Sequence, residues 1–277
     1  MRILQNISYP ETSIHDIDRE AYLRGGGGLY ILNDRLIIPA YDKVEFNTYA
    51  NFFSMKKWRL YARLQNVNLI IETKASAQVD VVGIMDRSHY FPEQVLVSTQ
   101  TKNGQKLILD IPEHDKYDVL YLRVQALDEP VEIIQAGFGT KDSTRQVVSL
   151  GACICTFNRQ PYLKKNFDKV LPKIQKYGLD IEFFVSNNGN PLGFDIPKGV
   201  TVEKNRNLGG AGGFTRAITM ALNQHKSHVV LMDDDIDLPF EALFRTLRFF
   251  EMIIPERRDI FLSGSMLSSE ERWLQYE

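Results

Sequence analysis

The sequence predicts a β plus α/β protein, with an antiparallel β-sandwich followed by a mostly parallel sheet dressed with helices. Three observations predict it. Up to about residue 140, short runs rich in Val, Ile, Leu, Tyr and Thr alternate with turn residues. Beyond about residue 147, continuous apolar runs alternate with amphipathic stretches, as in a parallel sheet covered on both faces. Between the two lies the polar segment KDSTRQV at 141–147, which sets the expected domains at 1–143 and 144–277.

In the first part the expected strands are Asn66–Thr73, Val79–Ile84, Gln94–Thr99, Lys106–Ile111, Val119–Leu127 and Val131–Phe138. YDVLYLRVQAL, residues 117–127, alternates apolar and polar residues as one buried and one outer face require. Lys102-Asn103-Gly104 reads as a tight turn. The four glycines Gly25–Gly28 precede no helix and no Lys-Ser/Thr pair follows, so a flexible turn is expected rather than a phosphate loop. In the second part the expected order is strand Val148–Thr156, helix Tyr162–Tyr177, strands Ile181–Ser186 and Val200–Glu203, and helix Gly213–Gln224. Strand His228–Met232, helix Pro239–Met252 and strand Ile260–Ser263 follow.

Composition narrows the function. The formal net charge of −2 has both signs interspersed, which gives no general attraction to nucleic acid or an anionic membrane. No apolar run approaches the ~20 residues that span a bilayer. The opening residues lack the basic and apolar regions of a signal peptide. Cys153 and Cys155, two apart on one strand, suit neither a disulfide with each other nor a metal site alone, and are expected buried and reduced. The location expected is cytoplasmic, with the inner face of the plasma membrane as the place of any peripheral association.

Chemistry concentrates at the predicted carboxyl ends of the parallel strands, where such sheets bind ligands. VVLM runs directly into Asp233, Asp234 and Asp235. Strand alternation would point Asp233 and Asp235 the same way, as a pair of oxygen ligands for Mg²⁺ or Mn²⁺. The plain alternative is an acidic turn with Asp237 capping the next helix. Asn207-Leu208-Gly209-Gly210 leads into a helix, where glycines admit close approach and free N–H groups favour anions. Thr156-Phe157-Asn158-Arg159 ends the first strand, with Arg159 suited to a phosphate or a base, although a capping turn would read the same. Ser186-Asn187-Asn188-Gly189 ends the second. Four polar clusters at one end of a sheet would form one pocket.

TFNR, NLGGAGGF and LMDDDI, in this order and spacing, resemble the galactofuranosyltransferases, inverting GT-A enzymes that use UDP-galactofuranose to build galactans. Thr48–Trp58, TYANFFSMKKW, is similar to a segment of that family's N-terminal sandwich, with Phe52, Phe53 and Trp58 expected to pack in a core or between domains. The resemblance implies roles. Thr156 and Arg159 would border the uridine, with Asn158 and Asn188 in the same donor-binding set. Asn207 would contact the donor near its phosphates or sugar, and Gly209 and Gly210 would admit it. Asp234 would face the ribose or sugar, while Asp233 and Asp235 would engage Mn²⁺ or Mg²⁺. A glycan or lipid-linked glycan would be the acceptor.

The resemblance also implies a general base and a further histidine beyond residue 277, so a truncated chain, inactive by itself, is expected. His225 and His228 precede the acidic cluster and substitute poorly. Other readings stay open: a rhamnosyl- or other hexosyltransferase, or a non-catalytic glycan-binding module. A sugar nucleotidyltransferase is disfavoured, because TFNRQP stands where a Gly-rich basic loop belongs. Self-association and membrane contact through further residues also stay open.

Overall fold

A computed structural model describes residues 1–10, 16–33, 35–85, 93–268 and 275–276. In chain order the elements are β1 (Arg2–Asn6), α1 (Asp16–Tyr22), β2 (Arg24–Gly25), β3 (Tyr30–Leu32), β4 (Arg35–Ile38), β5 (Lys43–Glu45) and α2 (Met55–Tyr61). Next come β6 (Asn68–Lys74), β7 (Ala77–Ile84), β8 (Gln94–Gln100), β9 (Lys106–Asp110), β10 (Val119–Ala126) and β11 (Val131–Thr140). The rest are β12 (Leu150–Thr156), α3 (Gln160–Lys176), β13 (Ile181–Asn187), β14 (Val200–Lys204), α4 (Gly209–Asn223), β15 (His228–Met232), α5 (Phe240–Met252), β16 (Met266–Leu267) and β17 (Gln275–Tyr276). The chain divides into two compact units, residues 1–145 with 252–277, and residues 146–251.

The first unit holds two antiparallel sheets. One runs β3-β4-β11-β6-β9 with β1 also on β11, and the other runs β2-β5-β10-β7-β8. On β10 the expected alternation sends Leu120, Leu122 and Val124 into the core, all fully buried. Phe53 joins the sheets: its backbone bridges Leu120 of one, and its ring stacks 4.9 Å from Phe138 of the other. Trp58 stacks on the same ring at 5.7 Å, so Phe53 and Trp58 are core. The turn at Lys102–Gly104 forms, with Gln105 N–H donating to the Lys102 carbonyl. It carries the chain from β8 in one sheet to β9 in the other, rather than closing a hairpin.

The second unit is a four-stranded sheet of order β14-β13-β12-β15, parallel at every pairing. Phe183 and Phe184 of β13 point to opposite faces, as successive strand residues must. Phe184 packs with Cys153, Ala217, Met220 and Ala221 under α4. Phe183 meets Phe167 of α3 edge-on at 5.2 Å, and Tyr177 beyond α3 stacks on Phe240 of α5. β15 stands at the sheet edge, where Val229 and Leu231 on the α4 face remain 38% and 55% exposed.

Two expected elements differ. Residues 260–263 form no strand: Phe261 is fully exposed and the segment pairs with nothing among the described residues. β propensity without a partner strand does not make a sheet. Helix α4 begins at Gly209 rather than Gly213, so the glycines form its first turn instead of leading into it.

Candidate functional site at the strand ends

The carboxyl ends of β12, β13 and β15 surround a cleft of about 420 Å³, a volume in the range of small-molecule sites. Its lining includes Arg159, Asn188, Asn207, Gly209, Gly210, Asp234 and Asp235, drawn from all four clusters singled out in the sequence. Cys155 and Phe157 line it as well. Thr156, Asn158 and Asp233 do not.

Each departure has a local cause. Cys155 and Thr156 are consecutive strand residues and face opposite ways, so only one can reach the cleft. Cys155 does, and is half-buried rather than a core thiol like Cys153. Thr156 is buried, and its hydroxyl has no hydrogen-bond partner among the described residues. Asn158 adopts a left-handed backbone, φ +59°, and its Oδ1 accepts from the Asn190 N–H at 2.9 Å, tying two strand-end loops together. Strand β15 ends at Met232, so the alternation that would align Asp233 with Asp235 does not extend to them. A turn follows, and it presents Asp234 and Asp235 to the cleft.

The start of α4 lines the cleft as well. Asn207 Oδ1 accepts from the Gly209 N–H at 3.1 Å, and Gly209 has φ +73°, a backbone that side chains oppose. Gly213 lies directly on β12: a Cβ there would stand 2.1 Å from Cys155 Sγ. Asn188 links these parts. Its Nδ2 donates to the Gly209 carbonyl at 3.3 Å and lies 3.4 Å from Cys155 Sγ, while its Oδ1 accepts from Asn205 at 3.1 Å. Asn188 therefore holds the shape of the cleft.

Charge in the cleft is mixed. Arg159 Nη2 lies 3.9 Å from Asp235 Oδ2, and the Phe157 N–H points to Asp234 Oδ2 at 3.4 Å. Burial, then Asp234 and Asp233 nearby, push the Cys155 thiol up, which keeps it protonated. Burial alone pushes Cys153 up to about 11. Among the described residues no group of three or more His, Cys, Asp or Glu stands together as a metal cage. His225 is exposed, and His228 packs on Phe250 at 4.4 Å.

One residue that no motif flagged positions the acidic turn. Asn166 of α3 is buried, donates to the Ile236 carbonyl at 2.7 Å, and accepts from the Leu238 N–H at 3.0 Å. A polar residue on the apolar stripe of a helix was the available signal. Among the described residues, no helix is long and apolar enough to cross a membrane.

A family model described as galactofuranosyltransferase 2 N-terminal matches residues 31–141. The galactofuranosyltransferase GlfT2 of Mycolicibacterium smegmatis (strain ATCC 700084 / mc(2)155) is 23% identical over 248 residues, covering 83% of this chain and 37% of the relative. The chain thus spans little more than a third of that relative's length. Solved structures of carbohydrate-binding modules overlap more loosely. A family 29 module from Piromyces equi is 12% identical and covers 48% of this chain and 87% of its own, at a TM-score of 0.28. A second family 29 module structure is 11% identical, covers 50% of this chain and 88% of its own, and reaches a TM-score of 0.31. Scores this low carry no argument about fold or ligand. The family match and the relative together make this chain similar to the N-terminal part of the galactofuranosyltransferases.

Proposed function

We propose that this chain carries the donor-binding part of an inverting, metal-dependent glycosyltransferase of the GT-A type. The whole protein would transfer galactofuranose from a UDP-sugar to a glycan or lipid-linked glycan. The observation that supports this most is the convergence of four separated segments on one cleft at the ends of parallel strands. A core has no use for such a gathering of amides, carboxylates and an arginine.

The residues suit a nucleotide diphosphate. Phe157 and Arg159, with Arg159 set 5.8 Å over the Tyr162 ring, offer a flat apolar and cationic wall for a base. The first turn of α4 from Gly210 onward offers backbone N–H groups to phosphate oxygens, the Gly209 N–H being held by Asn207 Oδ1. Asp235, with Asp234 or Asp233, would hold Mn²⁺ or Mg²⁺. Two carboxylates, with no third ligand beside them among the described residues, fit such ions, which are commonly bound by one or two carboxylates plus substrate phosphates. Bound there, the ion would neutralise charge on the departing UDP. Arg159 already sets positive charge against Asp235, and its guanidinium suits a phosphate. Asn166 and Asn188 act as positioning residues, holding the acidic turn and the α4 wall in register.

Calorimetric titration of UDP into the chain, with and without Mn²⁺ and alongside Asp235→Ala, tests this. Binding that needs the metal and vanishes in the variant is expected. UDP binding indifferent to both would refute the assignment, and tighter binding of a nucleoside triphosphate would point to nucleotidyl transfer instead.

A further inference from the structure

The outer face of the five-stranded sheet carries a polar cluster that neither the sandwich core nor the strand-end cleft uses. At its centre Arg123 of β10 donates from Nε to Glu45 of β5 at 2.9 Å, from Nη2 to Glu93 at 3.1 Å, and to the Tyr121 hydroxyl at 3.0 Å. Asp80 of β7 lies 3.9 Å from its Nη1. The array continues across the sheet: Gln78 Nε2 donates to Asp80 at 3.0 Å and to Ser98 of β8 at 2.8 Å, and the Ser98 hydroxyl donates to Asp80 at 2.8 Å. On the other side Asn47 Nδ2 donates to Glu45 at 3.0 Å, while Asn47 Oδ1 is buried with no hydrogen-bond partner among the described residues. The side chains of Arg123, Glu45 and Asp80 are only 17%, 21% and 17% exposed, so they are held close to the sheet and to one another rather than waving in solvent.

We infer that this face is a glycan-binding surface, for a neutral, hydroxyl-rich saccharide chain laid across β5, β10, β7 and β8. Sugar hydroxyls both donate and accept, and this face offers both in fixed directions: carboxylates to accept, a guanidinium and amides to donate. Four strands at ~4.8 Å spacing extend over roughly 14 Å, long enough for more than one sugar ring. The charge excludes anionic ligands. Arg123 and Lys43 face Glu45, Asp80 and Glu93, leaving the cluster acidic. A protein partner fits poorly as well, because such interfaces put apolar residues at the centre and charges at the rim. Phe52, packed edge-on to Tyr121 at 6.3 Å, borders the cluster with an aromatic ring.

The choice of furanose probe rests on the proposed function, whereas the surface itself does not. Titration of the full chain with a neutral galactofuranose oligosaccharide, a neutral pyranose oligosaccharide and a polyanionic glycan tests the inference. A neutral oligosaccharide should bind, and Arg123→Ala should weaken it by roughly tenfold or more, the scale of a lost charge-assisted hydrogen-bond centre. Ser98→Trp, at an exposed position that leaves the ion pairs intact, should also block binding, while Asp235→Ala should not. Absence of neutral-glycan binding overturns the inference. So does binding untouched by both face variants, binding lost only in Asp235→Ala, or preference for the polyanion. UDP titrated into the Ser98→Trp chain separates the two sites: loss of the donor claim alone would leave glycan binding on this face intact.

Discussion

In the sandwich, Phe53, Trp58 and Phe138 close over one another, and almost no surface of Phe53 meets water. In the α/β unit the strands end otherwise: β12 and β13 finish in the polar Thr156 and Asn187, and β15 runs from Met232 into a turn where Asp233 and Asp235 are exposed. Apolar partners across two sheets fix the first region; the second depends on a few hydrogen bonds and one close helix-to-strand contact. The contrast teaches where each region is vulnerable. Damage to the aromatic cluster should cost stability, and damage at the strand ends should cost ligand binding first.

Phe53→Ala should show the largest effect, a loss of about 3–5 kcal/mol in denaturant unfolding, since it opens a cavity between the sheets. A loss below about 1 kcal/mol would mean that the two sheets do not depend on this ring. Gly213→Ala comes next, because its methyl would enter the space of Cys155 Sγ. Overpacking of this kind costs on the order of 1–3 kcal/mol. Adding Cys155→Gly should recover part of it, and a double-mutant cycle with no coupling would contradict the contact.

Asn166→Ala tests the opposite kind of region. It orphans the Leu238 N–H and the Ile236 carbonyl, which should cost about 1–2 kcal/mol. It should also weaken metal-dependent UDP binding, although Asn166 does not line the cleft. Unchanged UDP affinity would remove its positioning role. The smallest effect expected is at His228, whose burial lowers its pKa below the ordinary 6.5. The neutral form is favoured on folding, so its contribution is complete above 6.5 and is lost as pH falls from there through the lowered folded value. His228→Phe, which keeps an aromatic ring against Phe250, should flatten that acidic fall in thermal stability. An identical pH profile would show that His228 does not titrate differently on folding.

How far these regions were legible in the sequence follows from the same contrast. Apart from Ile260–Ser263, which has no partner strand among the described residues, the strands read from apolar runs and alternation stand close to where those patterns put them, because burial imposes a period on the chain. The start of α4 was misplaced because glycine disfavours helix, yet here Asn207 receives the Gly209 N–H and close packing on Cys155 requires Gly213. Cys155 rather than Thr156 lines the cleft because the facing of a strand is fixed by its pairing, which composition does not record. The Arg123 cluster was invisible for a different reason. Its partner Glu45 lies 78 residues away, and only the register Arg123 to Glu45 brings them together. Asn166 carried a faint signal, a polar residue on an apolar helix face, without saying which loop it would hold.

On the proposed reading Asp235, with Asp234 or Asp233, would hold the metal at the wall of a nucleotide cleft. The direct measurement is paramagnetic broadening of backbone amide resonances by substoichiometric Mn²⁺ in the presence of UDP. Selective broadening around residues 233–236, 157–159 and 209–210, removed by Asp235→Ala, is the predicted result. Broadening centred on the carboxylates of the sandwich, or a strand-end cleft that Mn²⁺ and UDP leave unchanged, would contradict it.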